Sequence, residues 1–271
     1  MNLTPIYTPR EGKKMRVACF VSGSGTNARK IIERSTKPDF QYEVALIFTE
    51  VRDDRYYKSG KKMCRAKDIA EEHSIPYECE DIRDFYRSRG HKTRRDLSLR
   101  PEFDRLVVEK VKPHEIDVIA LAGYMSITTR PLLEAYDGRI VNVHPADLSI
   151  MEGGDRRYVG IHVVRDAILA GERELRSSTH VVREEVDRGE ILVISEPLPM
   201  ELPAGVELGL LERDEELLEK VVDEHQDKLK EQGDWVIYPL TLQMIAEGRF
   251  ALDGQGVMQF DGKKVPRGHR L

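Results

Sequence analysis

Four short apolar runs, residues 16–21, 43–48, 117–121 and 139–143, punctuate the first half of the chain, and each reads as a buried strand. Unbroken apolar runs of this length suit strands covered on both faces, as in a parallel sheet flanked by helices. Residues 28–34, 61–73, 101–111 and 130–136 read as the intervening helices, the third with Phe103, Leu106, Val107 and Val111 at helical spacing. This alternation predicts an α/β fold: an open, mostly parallel wound sheet, Rossmann-like in its N-terminal half, with helices on both faces. Beyond residue 175 the pattern changes. Residues 177–182 and 190–194 predict an antiparallel strand pair joined by a turn at residues 187–189, and residues 212–231 and 235–247 predict two further helices.

The 271 residues are enough for a sizeable core, and the net charge of −5 argues against a broad nucleic-acid surface while allowing a local phosphate site. No apolar stretch approaches the length of a membrane span. Residues 1–14 lack the apolar centre of a signal peptide and read as a flexible arm. Residues 15–271 read as a single domain, with a phosphate-binding half over 15–128 and a catalytic half over 129–271. Cys19, Cys64 and Cys79 are scattered, show no metal-ligand spacing and suit a reducing cytoplasm. Residues 53–60, 84–99 and 146–159 are the most irregular stretches, and the first two, rich in Arg, Lys, Asp and Tyr, read as mobile or lid-like loops.

Three groups of residues carry chemistry. The turn Gly23-Ser24-Gly25-Thr26-Asn27-Ala28 joins a strand to a helix, where a tight backbone and free helix N–H groups favour a phosphate. Its spacing also fits a loose dinucleotide fingerprint, with Glu50 at the end of the second strand as a ribose partner. The loop alone therefore says phosphate without saying which. Asn142 and His144 alternate on a strand, so their side chains share a face at the carboxyl edge where open α/β sheets bind ligands. The amide can donate to a developing oxyanion and the imidazole can exchange a proton; the blander reading is a buried polar pair capping the next loop. Asp187, in Val186-Asp187-Arg188-Gly189, can orient an imidazole or simply form a turn. His162 is a further cleft candidate, or a helix-start residue. Asp234, before Trp235, is either a ligand carboxylate or a helix N-cap.

Taken together, Ser22-Gly23-Ser24-Gly25-Thr26-Asn27, Leu121-Ala122-Gly123-Tyr124-Met125, Asn142-Val143-His144-Pro145, Gly160-Ile161-His162, Ser178-Thr179-His180-Val181-Val182, Val186-Asp187-Arg188-Gly189, Ile237-Tyr238-Pro239 and Ala246-Glu247-Gly248-Arg249 stand in an order and spacing that resembles the formyltetrahydrofolate-dependent formyltransferase family. The resemblance covers most of residues 15–250 and is nearest to the branch that formylates glycinamide ribonucleotide in purine synthesis. It implies that Asn142, His144 and Asp187 are the catalytic trio, that Gly25, Thr26 and Asn27 meet the substrate phosphate, and that Asp234 meets its ribose. It also implies that the folate lies against Tyr124, Met125, Ser126, Ile127 and Thr128 and against Val182, Glu184 and Val186, within the 129–271 half for the latter. The implied co-substrate is 10-formyltetrahydrofolate, with no metal, no nucleic acid and no membrane partner, in a monomer or homodimer. In the implied reaction a neutral amine attacks the formyl carbon, Asn142 and protonated His144 stabilise the oxyanion, and Asp187 orients His144 and, with a water, helps carry the proton to the leaving folate nitrogen.

Residues 146–159 look like an insertion relative to that family, Ser126 stands where an arginine is usual, and Asp234 shortens a usual glutamate. These departures motivate a different amine, such as an amino-sugar nucleotide, as a second expectation. Hydrolysis of formyltetrahydrofolate is a third. A dinucleotide-binding oxidoreductase or a ligand sensor is the reading from another class.

Overall fold

A computed structural model describes residues 3–271 of the chain. In chain order it contains β1 (Thr4–Pro5), β2 (Met15–Phe20), α1 (Thr26–Ser35), β3 (Tyr42–Thr49), α2 (Ala66–His73), β4 (Tyr77–Cys79), α3 (Ile82–Ser88), α4 (Arg100–Val111), β5 (Val118–Leu121), α5 (Arg130–Ala135) and β6 (Ile140–His144). The second half adds β7 (Met151–Glu152), β8 (Asp155–Arg156), α6 (Val163–Leu169), β9 (Glu174–Leu175), β10 (Ser178–Val181), β11 (Ile191–Ile194), β12 (Leu198–Pro199), α7 (Leu208–Leu211), α8 (Glu215–Leu229), α9 (Trp235–Ala246), β13 (Phe250–Leu252), β14 (Met258–Phe260), β15 (Lys263–Lys264) and β16 (His269–Arg270).

The central sheet has eight strands in the order β16-β11-β10-β6-β5-β2-β3-β4. All run parallel except β10, which is antiparallel to both β6 and β11. The expected mostly parallel sheet with an antiparallel pair is therefore present. From β2 the chain winds outward through β3 and β4, then returns to β5 and winds the other way, so the strand order reverses between β2 and β5. Open α/β sheets bind ligands in the crevice that such a reversal leaves at the carboxyl edge.

Helices cover both faces. Ile31 and Ile32 of α1, Ile69 of α2 and Ile237, Tyr238 and Leu242 of α9 pack with Val17, Cys19, Val141 and Val143 in one core. Phe85, Phe103, Val107 and Leu132 of α3 to α5 pack with Phe20, Leu46, Phe48 and Ile119 in the other. A third cluster joins Val164 and Ile168 of α6 to Leu218 and Val221 of α8. The tie between α9 and the sheet is also polar: the buried Tyr238 hydroxyl donates to the Val141 carbonyl at 2.8 Å, and Thr241 meets Thr179 at 2.8 Å. Thus α9 occupies the face of Val141, Val143 and Thr179 and leaves the opposite face, that of Asn142 and His144, for other contacts.

Three expectations need correction. Residues 3–14 are not a free arm: β1 pairs with β13, Ile6 and Tyr7 are buried, and Arg10 forms an ion pair with Asp117. The apolar pair Ile6-Tyr7 supplies the driving force that the surrounding charge and proline obscured. The helix expected from residue 61 begins at Ala66, because residues 56 and 62 pair across a bridge. Residues 84–99 are not one irregular loop: α3 runs to Ser88, started by the Asp81 carboxylate, which accepts from the Asp84 N–H at 2.9 Å and is held by Arg55 at 2.7 Å.

Removing residues 1–8 exposes the surface under Ile6 and Tyr7. Urea unfolding is expected to show a loss of about 2–4 kcal/mol from the two buried side chains; an unchanged midpoint would mean that the segment adds nothing to the fold.

Candidate active site

The two loops that flank the strand-order reversal are fastened to each other. The Ser22 N–H donates to the Gly123 carbonyl at 3.1 Å, and the Met125 N–H donates to Ser22 Oγ at 2.7 Å. Ser22 Oγ and Ser126 Oγ both donate to Glu50 Oε1, at 2.5 and 3.2 Å. Burial pushes the Glu50 carboxyl above its ordinary range, while the two hydroxyls, a backbone N–H and Arg100 pull the other way. Glu50 therefore faces inward as the joint between the loops, not outward as the ribose partner of the dinucleotide reading.

Gly25 takes φ +69° at the start of α1, and a methyl group there would stand 2.3 Å from Ile69 Cδ1. The left-handed turn lets the chain enter α1 without a capping side chain, so the first N–H groups of the helix, those of Thr26 and Asn27 included, have no partner within it. A phosphate can accept from such groups and is favoured by the positive helix end. Beside Thr26 and Asn27 lies Asp234, at the end of a wide helical turn, Lys230–Asp234, that joins α8 to α9. Its backbone is helical and its side chain caps nothing, so the N-cap reading fails. Asp234 Oδ1 accepts from Ser177 Oγ at 2.6 Å. Burial raises its pKa to about 6, against the hydrogen bonds from Ser177 and Asn27 and the charge of Lys230. Asn27 Oδ1 is buried without a hydrogen-bond partner, which leaves an acceptor for a ligand hydroxyl.

Asn142 and His144 share one face of β6, and Asn142 stands directly opposite His180 of β10. Asn142 Nδ2 lies 3.3 Å from His180 Nε2. His180 Nδ1 donates to the Val181 carbonyl at 2.9 Å, which leaves Nε2 to meet the Asn142 amide on one side and Asp187 on the other. That contact turns the Asn142 carboxamide and leaves its second N–H free. The connection between β10 and β11 brings Asp187 back over the same face. Asp187 Oδ2 lies 3.5 Å from His144 Nδ1, and Oδ1 lies 3.5 Å from His180 Nε2. The Gly160 N–H also donates to Asp187 Oδ2, at 2.9 Å. Burial would raise the Asp187 carboxyl, but His180, the charge of His144 and the Gly160 N–H outweigh it and hold the pKa at about 2. His144 Nε2 donates to the Tyr158 carbonyl at 3.1 Å. Burial lowers the His144 pKa below 6.5, opposed chiefly by Asp187. The resting ring is therefore neutral at pH 7, although its two neighbours, a carboxylate and a carbonyl, would both be satisfied only by the imidazolium. A neutral, buried imidazole set between two acceptors is poised to take up a proton when negative charge develops nearby.

The sequence pattern of formyl transferases matches residues 15–201, about two thirds of the chain, and its span contains the loop, the trio and the antiparallel pair. The chain belongs to the formyl transferase family. It is 27% identical over 131 residues to a phosphoribosylglycinamide formyltransferase of Bacillus subtilis, 48% of this chain and 56% of that one. It is 28% identical over 136 residues, 50% of this chain, to the human trifunctional purine biosynthetic protein adenosine-3, of which the match covers 11%. The chain thus spans about half the length of the first relative and a small part of the second. Among solved structures, the phosphoribosylglycinamide formyltransferase of Bacillus halodurans superposes with a TM-score of 0.55 at 29% identity, over 84% of this chain and 93% of that one.

In this member of the family the residues expected around a folate divide into two groups. Met125, Ile127 and Val186 are large apolar side chains left open to solvent, and Glu184 is exposed as well. Tyr124 instead packs into the core, its ring 5.3 Å from Phe20, Thr128 is buried, Ser126 is held by Glu50, and the Val182 N–H donates to the Ile140 carbonyl at 2.8 Å. His162 is exposed at the start of α6 and has no hydrogen bond to the trio. A cavity of about 600 Å³ opens beside Met125 and Ile127, lined by Arg83, Arg87, Lys92, Arg94, Arg95 and Arg100 and by no carboxylate. Two participants escaped sequence reasoning. His180 sits in an apolar run that reads as strand filler, and only its register against Asn142 reveals it. Residues 84–99 read as a mobile or lid-like loop, and only folding turns the basic residues among them into a cavity wall.

The Asp234 pKa of about 6 lies above the roughly 3.9 of an unfolded chain, so the folded state holds that proton more tightly. The stability linked to this proton is complete below about pH 4 and is lost as the pH rises through about 6. Asp234→Asn is expected to leave stability unchanged at pH 4 and to raise it by about 2–3 kcal/mol at pH 8, read from urea midpoints at the two pH values. A gain of equal size at both would show that ionisation is not the cause.

Proposed function

We propose that the chain transfers a formyl group from 10-formyltetrahydrofolate to the primary amine of glycinamide ribonucleotide, a step of purine biosynthesis. The observation that carries this reading is the Asp187 carboxylate set between His144 and His180, each at 3.5 Å, with Asn142 turned by His180. The names of the relatives support the choice of acceptor. The phosphate would sit at the N–H groups of Gly25, Thr26 and Asn27, and its ribose hydroxyls would meet Asp234 and Asn27 Oδ1. The carbonyl of Tyr158 accepts from His144 Nε2 as a formyl oxygen would.

The folate supplies the activated formyl group. Its mixed character, a flat ring system and a glutamate with carboxylates, suits the residues present: exposed Met125 and Ile127 at a cavity walled by arginines, and the exposed Val186. The amine nitrogen forms a bond to the formyl carbon, and the bond from that carbon to the folate nitrogen breaks. The free N–H of Asn142 and the Nε2–H of His144 would donate to the formyl oxygen as it becomes negative; a well-placed donor of this kind contributes about 3 kcal/mol. The proton lost by the amine passes through His144, stabilised as imidazolium by Asp187, to the departing nitrogen. The site needs the amine neutral and His144 able to gain a proton, so turnover should fall as the pH drops below neutrality and protonates both.

Tetrahydrofolate release, followed with and without glycinamide ribonucleotide, tests the proposal. Turnover only with the ribonucleotide is expected; equal turnover without it would make the chain a hydrolase, and turnover only with other amines would replace the acceptor. His144→Ala is expected to lower kcat by about 10²–10⁴-fold while the dissociation constant for folate stays within a few-fold; near-normal turnover would remove His144 from the mechanism.

A further inference from the structure

Residues 146–160 approach the trio from the side not covered by helices. The short hairpin of β7 and β8 turns through Gly153 and Gly154 and delivers Arg156 to the turn that carries Asp187. Arg156 Nη1 donates to the Asp187 carbonyl at 2.5 Å, and Nη2 donates to the Gly189 carbonyl at 2.7 Å. Among the described residues no carboxylate lies within ion-pair distance of this half-buried guanidinium, although the hairpin and its surroundings carry several. A buried arginine without a counter-ion is costly unless its N–H groups are well used. Here the planar fork is spent on two backbone carbonyls two residues apart, a geometry that lysine cannot copy.

The turn needs such a clamp. Asp187 has φ +56°, a left-handed conformation that costs a non-glycine residue about 1 kcal/mol or more. A neighbour fixes the same turn from outside: Arg188 pairs with Asp155 of β8 at 2.6 Å. The turn also leaves no slack inside, because a methyl group at Gly189 would stand 1.8 Å from the Val181 carbonyl oxygen.

We infer that Arg156 is a positioning residue, whose two hydrogen bonds to the 187–189 turn hold the Asp187 carboxylate between His144 and His180. It touches no reacting atom and acts through Asp187. The kinetic part of its test rests on the formyl-transfer reading, but the structural part does not. Four groups face the His144 ring: the Asp187 carboxylate, the His180 ring, the Arg156 guanidinium and the Tyr158 carbonyl. Replacing Arg156 by lysine keeps the positive charge and removes the fork; a displaced Asp187 moves the His144 titration to lower pH, whereas mere withdrawal of the positive charge would move it to higher pH.

The test uses the full chain with Arg156→Lys and Arg156→Gln. Long-range ¹H–¹⁵N spectra of the imidazoles, titrated with pH in the resting protein, need no substrate. In Arg156→Lys the His144 titration is expected to move to lower pH, as the carboxylate that favours its cation drifts away. In the formyl-transfer assay kcat is expected to fall by about 10-fold or more, with KM for both substrates changed by less than about 2-fold. Glu152→Gln, on the same hairpin but without a contact to the turn, should match the parent protein in both measurements. If Arg156→Gln does not fold, the lysine variant alone decides. An unchanged His144 titration in Arg156→Lys overturns the inference, as does a rise in KM with kcat intact, which would make Arg156 a substrate contact. If no acceptor supports turnover but the titration moves, the functional proposal fails and this inference stands.

Discussion

Strand β10 runs against its neighbours, and its ladder with β6 sets Asn142 opposite His180 at a spacing fixed by backbone hydrogen bonds rather than by loops. Each neighbouring feature depends on that register. Because side chains alternate along a strand, a slip by one residue would turn Asn142 and His144 into the core under α9 and bring Val141 and Val143 to the site. The Tyr238 hydroxyl on the Val141 carbonyl and the Thr241 hydroxyl on Thr179 oppose such a slip from the other face. The site is thus registered from behind by a buried polar seam and in front by the Asp187 turn.

Electrostatically the site keeps its two ionisable partners far apart. Asp187 is held at about 2, so it is charged at any physiological pH, whereas burial keeps the resting His144 neutral. Two groups whose environments separate their pKa values in this way can divide the labour of orienting and of moving a proton. Asp234 at about 6 is different in kind. It is a buried carboxyl whose full hydration has been given up, so its charged form is disfavoured in the free protein.

Much of this could be read from the chain before folding. The four apolar runs mark four of the parallel strands, and the β-branched residues at 178–181 and 191–194 mark the antiparallel pair. Gly25 is legible as a tight turn because a glycine-rich stretch between a strand and a helix predicts one, and its φ of +69° is that turn. Asn142 and His144 are legible because alternation on a strand is a rigid rule. What was hidden depends on contacts across long stretches of sequence. His180 looks like any residue of an apolar run until β10 is paired with β6. The Ile6-Tyr7 pair is too short to give a periodic signal, and its partners lie near residue 250. The role of Arg156 cannot be seen in a stretch that resembles an insertion, since two N–H groups meeting two carbonyls leave no trace in residue identity. Tyr124 looked like a ligand contact, but its ring belongs to the core, and aromatic residues at strand ends can serve either purpose.

Strand β1 meets β13 through Thr4 and Leu252, almost the full chain apart, and Gln243 reaches back to Gln41 with its side-chain oxygen 2.7 Å from the backbone N–H. Contacts so distant in sequence close large loops, and the entropy of closing them must be met before the contact gives anything back. During synthesis the N-terminal segment therefore waits, with two apolar side chains uncovered, until residues near 250 have left the ribosome. The parallel core around β2, β3 and β5 can assemble earlier from nearer partners. The chain's most exposed interval in time lies at its first strand, and that is where a chaperone or a competing strand would find it.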